Sequence, residues 1–376
     1  MTKKSIYIIA IIFSILAGCK EEIDILSQQY EKLLVVDGMI TNQPGPYTVK
    51  ISYSSMVNDA QYKGLKNCKV TIEEENGTRE VLEEGYHGIY ETSPNGIQGI
   101  PGNSYRLIIE TEEGKTYQTD YHKLNIPVEI DTITAKLEYV DQLYADKIPG
   151  CQFYISTEET DPNGSFIMWK MEETYEYTAE YQIDSYMKDG NIYEQKNKDS
   201  LYRCWRTVDM KEIFTENSVD VSSPRLKEIP LHFVSNQTKR LQYRYSLLVE
   251  QYTLSRDAYA YWDEIKAQLS GDNFLEPEQH YKLAGNVYNK ANDEEVVLGH
   301  FTVAPIVKKR IFFDPPNITI KGNKCFVNNE FPSMIGASYN HKIFFVSGED
   351  GFGAVNDICI DCRTAGGKLK KPDFWK

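Results

Sequence analysis

From Leu33 onward, the apolar residues of this chain recur with period two, in short runs separated by turn residues. Tyr47–Tyr53, Cys68–Glu73 and Tyr105–Glu110 all alternate. Alternation places every second side chain on one face, which suits a half-buried strand and not a helical stripe. Leu33–Val36 is an apolar run that reads as a strand entering a turn, and Gly88–Thr92 and Tyr117–Asp120 are further strand candidates. Asp37-Gly38, Asn76-Gly77 and Glu113-Gly114 supply the turns, the second as an Asn-Gly hairpin. Closely spaced strands with turn signals between them predict a β-sandwich over residues 31–125.

A second β-rich unit is expected over 126–376, entered through Pro127–Asp131. Its strand candidates are Ile133–Tyr139, Gln152–Thr157, Phe166–Thr174, Arg240–Gln251, Glu295–Val303, Lys309–Phe313, Ile318–Ile320, His341–Val346 and Ala354–Ile360. Residues 171–203 are crowded with tyrosine, and Met187-Lys188-Asp189-Gly190-Asn191 is a strong turn, so this stretch reads as a long hairpin. One helix is expected, Ser255–Leu269. Ser255 caps it, Tyr259, Trp262, Ile265 and Leu269 form its apolar stripe, and Gly271 stops it. The fold class is therefore mostly β: two sandwich-like (Ig-like) domains with a small helical insertion.

The first residues carry an address. Lys3 and Lys4 precede an apolar run from Ile6 to Leu16, which ends in Ala17-Gly18-Cys19. A positive start, an apolar centre and small residues before the cut are the parts of an export signal. The run is shorter than the roughly 20 apolar residues that span a bilayer. Leu16-Ala17-Gly18-Cys19 resembles the lipobox of bacterial lipoproteins. That resemblance implies cleavage of residues 1–18 and a covalent lipid on Cys19, which would tie the chain to a membrane. Lys20-Glu21-Glu22 resembles a surface-export signal, and residues 19–30 read as a polar tether.

Net charge is −14, and removal of Lys3 and Lys4 makes the mature chain more acidic still. An acidic chain with no basic stretch is a poor partner for nucleic acid or anionic lipid. Of 7 cysteines, those beyond Cys19 are Cys68, Cys151, Cys204, Cys325, Cys359 and Cys362. In an exported chain this even set allows three disulfides. Cys359-Ile360-Asp361-Cys362 is read as structural, tying the C-terminal tail to the second unit. Cys204 is the preferred distant partner for one of its two cysteines, and Cys325 is the candidate for the other. One such pair supplies too few ligands for zinc.

No catalytic signature stands out, and the six histidines are scattered. No catalytic residue, metal ligand or cofactor is assigned beyond the lipid. The glycine-rich turn Gly348–Gly353 carries two acids, Glu349 and Asp350, and reads as a turn. Tyr175, Tyr177, Tyr181 and Tyr186 are the best candidates for a ligand surface, for a peptide or glycan, because tyrosine binds at low entropic cost. Tyr175 and Tyr177 share one face if the segment is a strand.

Several stretches together resemble one family. They are Val35–Thr41 with Gly45–Val49, Gly99–Leu107, Gly285-Asn286-Val287 with Leu298-Gly299-His300-Phe301, and the tail Cys359–Arg363, Gly366-Gly367 and Lys371–Trp375. They look like the Bacteroidetes outer-membrane lipoproteins grouped as DUF4249. One departure is His300, where an aromatic residue is expected. The resemblance implies a partner, a TonB-dependent outer-membrane transporter. The expectation is a lipid-anchored outer-membrane protein facing outward, not an enzyme, that serves such a transporter as accessory or substrate-capturing subunit. The alternatives are an adhesive surface lipoprotein with a large partner, and a hydrolase with an unrecognised site.

Overall fold

The computed structural model describes residues 32–55, 61–142, 145–158, 164–219, 225–270, 285–322, 325–329, 343–348 and 351–376. The export signal, Cys19, Lys20, Glu21, Glu22, the tether, and Glu349 and Asp350 lie outside the described residues.

The alternating segments form strands where the pattern puts them. Leu34–Ile40 runs straight through Asp37-Gly38, which is not the expected turn, and pairs antiparallel with Thr48–Tyr53, with Val36 opposite Ile51. Lys69–Glu74 lies between Ser104–Glu110 and Arg79–Val81, the latter reached through the Asn76-Gly77 turn. The inward residues of two sheets meet in one core: Val36, Val49 and Ile51 from one, Val70, Ile72, Leu107 and Ile109 from the other. All of these are fully buried.

This first sandwich does not end at residue 125. Val297–Val303 runs parallel to Leu34–Ile40 at the sheet edge, with Phe301 opposite Gly38, and Tyr288–Asn289 extends the second sheet. Val287, Val297, Phe301 and Val303 belong to its core. The expected boundary placed this segment in the second unit. Periodicity marks a strand but not its partner, and these partners lie more than 250 residues apart. Gly299 makes the approach feasible: its φ is +87°, and a Cβ there would sit 2.0 Å from the carbonyl oxygen of Val36.

The second unit is also two-layered. One sheet orders Ile130–Gln142, Ala145–Thr157 and Ile229–Ser235; the other orders Arg203–Asp209, Phe166–Thr178, Tyr245–Leu254 and Ile306–Phe313, with Phe214–Asn217 beside Phe166–Thr178. Phe153 and Ile155 of the first sheet pack with Ile167, Trp169, Leu247 and Val249 of the second. Two buried polar groups of this core are paired with each other and with the backbone. Trp169 Nε1 donates to Gln251 Oε1 at 2.8 Å, and Gln251 Nε2 donates to the Val128 carbonyl at 2.6 Å.

The helix is Arg256–Ser270, and Ser255 Oγ accepts from the Ala258 amide at 3.2 Å as its cap. Ala258, Tyr259 and Trp262 pack with Met39 of the first sandwich and with Met168, Tyr252 and Leu254 of the second. Leu269 departs from the expected stripe and is 67% exposed.

Other expectations are corrected. Residues 171–203 are not one hairpin. Phe166–Thr178 is a central strand, Ser185–Lys188 and Asn191–Glu194 form a separate hairpin, and the chain returns as Arg203–Asp209 to pair again with Phe166–Thr178. The turn was read correctly: Asp189 and Gly190 both take positive φ. That hairpin joins Ile343–Gly348 and Gly351–Val355 in a small third sheet. Lys239–Leu241 is a 3-10 turn, so the strand expected from Arg240 begins at Tyr245. Ile318–Ile320 is not a strand. Its neighbours bond to a loop instead, Asn236 Nδ2 donating to the Thr319 carbonyl and Lys321 donating to the Asn236 carbonyl, both at 2.8 Å. The strand expected over Ala354–Ile360 ends at Val355, and a 3-10 turn, Asp357–Cys359, follows.

Candidate functional site

Strand Phe166–Thr178 organises the site. One face turns Ile167, Trp169 and Met171 into the sandwich core. Period two carries the same face on to Glu173, Tyr175 and Tyr177, which line a cavity of about 710 Å³. On the neighbouring edge strand, Val208, Arg206 and Cys204 stand directly opposite those three residues. The opposing wall is the C-terminal tail, with Asn356, Ile358, Asp361 and Thr364 among the lining.

Two disulfides hold that wall. Cys204 joins Cys362 across 158 residues, and Cys325 joins Cys359 across 34. These are the four cysteines singled out in the sequence, and both sulfur bridges border the cavity. Which cysteine of the tail pair joins which partner follows from topology, because Cys204 faces the tail from the edge strand. The third bridge that the count allows is not formed. Cys68 and Cys151 are buried free thiols, and burial pushes the Cys151 thiol up to about 11.

The tail lies close enough that its glycines matter. Gly366 takes φ +82° at the end of the 3-10 turn Cys362–Ala365. A Cβ on Gly367 would fall 2.4 Å from Tyr177 Oη and 2.6 Å from Cys204 Cβ. Tyr177 Oη donates to the Cys362 carbonyl at 2.5 Å, and burial lifts its pKa to about 12.

The four tyrosines proposed as one ligand surface are not brought together. Tyr175 and Tyr177 do share a face, with ring centroids 5.6 Å apart, but they are buried and form a cavity wall. Tyr181 Oη donates to the Cys325 carbonyl at 3.2 Å and props the tail from behind. Tyr186 stacks on Tyr193 in the small third sheet, outside the cavity. The exposed rim is mixed: Phe326 and Ile358 stand at 79% and 64% exposure among the exposed polar side chains of Gln237, Thr238, Asn356 and Thr364.

Charges around the cavity are mostly matched. Arg240 Nη1 reaches Glu173 at 3.3 Å, and Tyr245 Oη donates to the same carboxylate at 2.7 Å. Lys239 pairs with Glu180 at 3.0 Å. Arg363 pairs with Asp361 at 2.7 Å and holds that carboxyl below its usual range. Behind Glu173, the buried His232 Nε2 lies 3.9 Å from the carboxylate and has no hydrogen-bond partner. Burial, reinforced by the charge of Arg240, depresses His232 to about 4, so it stays neutral near pH 7.

Arg206 was missed from the sequence. A lone arginine carries no motif, although its place two residues after Cys204 sets it on the face that bridges to the tail. Among the described residues, no group of three His, Cys, Asp or Glu side chains is placed to hold a metal. The geometry suits binding: an aromatic wall, two exposed apolar side chains at the rim and a few fixed polar groups.

A family described as a domain of unknown function, DUF4249, matches residues 20–310. The match takes in the strand wall of the cavity and stops short of the tail wall, including the Cys359–Trp375 pattern. No curated protein matches the chain.

Proposed function

Because the chain belongs to the DUF4249 family, whose role is unknown, we propose its function from the site itself. It is a lipid-anchored outer-membrane protein that captures a ligand in the cavity between the second sandwich and the disulfide-tied tail. It serves a TonB-dependent transporter as a non-enzymatic accessory subunit. The observation that carries this reading is the aromatic-walled cavity with the exposed Phe326 and Ile358 at its mouth. The volume is that of a pocket for a small molecule or a peptide end. The disulfides suit an oxidising compartment outside the cytoplasm. The lipobox-like Cys19 and the Lys20-Glu21-Glu22 that follows support anchoring and outward display.

The test is co-purification of the tagged protein from its own outer membrane in mild detergent, with partners identified by mass spectrometry. A stoichiometric TonB-dependent barrel is the expected result. Its absence, in detergent that preserves other such complexes, would sink the accessory role.

A specific observation favours the adhesive alternative. Strand Ile130–Gln142 is 13 residues long and has no strand on its outer side among the described residues. Leu137, Tyr139 and Val140 on it are exposed. Such an edge can receive an extended segment of a large partner.

A further inference from the structure

We propose that Arg206 is the anion-binding residue of the cavity, and that the ligand is a carboxylate joined to an apolar body. This deepens the capture reading and rests on it.

Four cations stand in or beside the lining: Arg206, Lys239, Arg240 and Arg363. Three are committed to carboxylates, Lys239 to Glu180, Arg240 to Glu173 and Arg363 to Asp361. Those are the three acids of the lining. Arg206 is left over, and among the described residues it forms no ion pair. Of its five N–H groups, one on Nη1 donates to the Ala365 carbonyl at 2.8 Å and another to the Tyr175 hydroxyl. Its guanidinium packs against Gly366. Its charge opposes the burial that raises the pKa of Tyr175 and Tyr177, so it is felt across the aromatic wall.

Of the described arginines that form no ion pair, only Arg206 lines the cavity. Its planar fork matches a carboxylate in bidentate geometry. The remaining surfaces ask for something apolar: Tyr175 and Tyr177 behind, Val208 beside, Phe326 and Ile358 at the mouth. A C-terminal peptide carboxylate with apolar side chains and a fatty acid both present that combination.

The experiment uses matched probes on the purified full chain, titrated calorimetrically. One pair is N-acetyl-Phe-Leu with a free carboxylate against its C-terminal amide. The other is decanoate against decanol. For the true class, the acid is expected to bind at least about tenfold tighter than its neutral mate. The preference should collapse toward unity in Arg206→Gln. Preference in the first pair alone identifies a peptide end, and in the second alone a fatty acid. Acid and neutral probes binding equally would overturn the role of Arg206 and leave the capture reading intact. Binding by no probe would overturn the anion site; the capture reading would then rest on the co-purification, which uses no probe. The comparison within each pair is made on the unaltered protein, so it stands even if Arg206→Gln folds poorly.

Discussion

Tyr177 and Cys362 are joined both directly and through Cys204. The Tyr177 hydroxyl donates to the Cys362 carbonyl, while Cys204, the cross-strand neighbour of Tyr177, is disulfide-bonded to Cys362. The tail is therefore fixed at the strand end where the core of the second sandwich gives way to the cavity.

Removing that anchor should cost stability in proportion to the chain it closes. Cys204→Ala with Cys362→Ala is expected to lower unfolding free energy by about 2–4 kcal/mol. Cys325→Ala with Cys359→Ala should cost less, because its loop is 34 residues against 158. Denaturant unfolding under non-reducing conditions measures both. No loss in either variant would mean that noncovalent contacts hold the tail unaided.

Gly367→Ala should be worse than Gly77→Ala. The first places a methyl 2.4 Å from Tyr177 Oη and must displace the ring or the disulfide, at about 1–3 kcal/mol. The second meets nothing within 4 Å and bears only the strain of φ +97°, about 1 kcal/mol. Thermal melts of the two variants give the order, and a reversed order would contradict the tail packing.

Stability should fall between pH 6.5 and pH 4. His300 is buried, stacks on Tyr261 at 4.9 Å, and has its pKa lowered to about 4, first by burial and then by the nearby His122. Above pH 6.5 it is neutral in both folded and unfolded chains. As pH drops, the unfolded chain takes up a proton that the folded one refuses, so on the order of 3 kcal/mol is lost by pH 4. His232, also lowered to about 4, acts in the same window. The paired carboxylates Asp184, Asp361 and Glu73, whose pKa values are lowered, lose their contribution only at more acid pH. His300→Phe keeps a ring against Tyr261, and its melting temperature should fall less steeply from pH 7 to 4.5. Parallel curves would show that His300 is not the titrating group.

Cys19→Ser should abolish incorporation of labelled palmitate and release the protein from the membrane fraction. Label retained by that variant would remove the lipid anchor from the account.

The strands were legible because burial on one face writes itself into every second residue. Lys69–Glu74 and Ser104–Glu110 fall within a residue of the alternating text. The stop of the apolar stripe before Leu269 was not legible, because apolar spacing cannot report which turn of a helix meets a neighbour. The four bridging cysteines stood out by number and by the tail pair, but their final pairing needs the edge strand to face the tail. The tyrosines drew attention for their density. Only the alternation of Glu173, Tyr175 and Tyr177 with core residues on the same strand separates a cavity wall from an exposed surface. The histidine that replaces the expected aromatic after Gly299 still does an aromatic's work, since its ring lies against Tyr261.

The return of Val297–Val303 to the side of Leu34–Ile40 sets an order of events as the chain is made. A chain emerging from its N-terminus exposes Leu34–Ile40 long before its parallel neighbour arrives. The first sandwich can close only after some 300 residues have emerged. Through that interval the waiting strand is an open edge, able to pair with the wrong chain. The second sandwich waits as well, since Ile306–Phe313 of its larger sheet follows Val297–Val303 in the chain. Both sandwiches of such a chain complete late, and a holding chaperone would be of most use to its earliest residues.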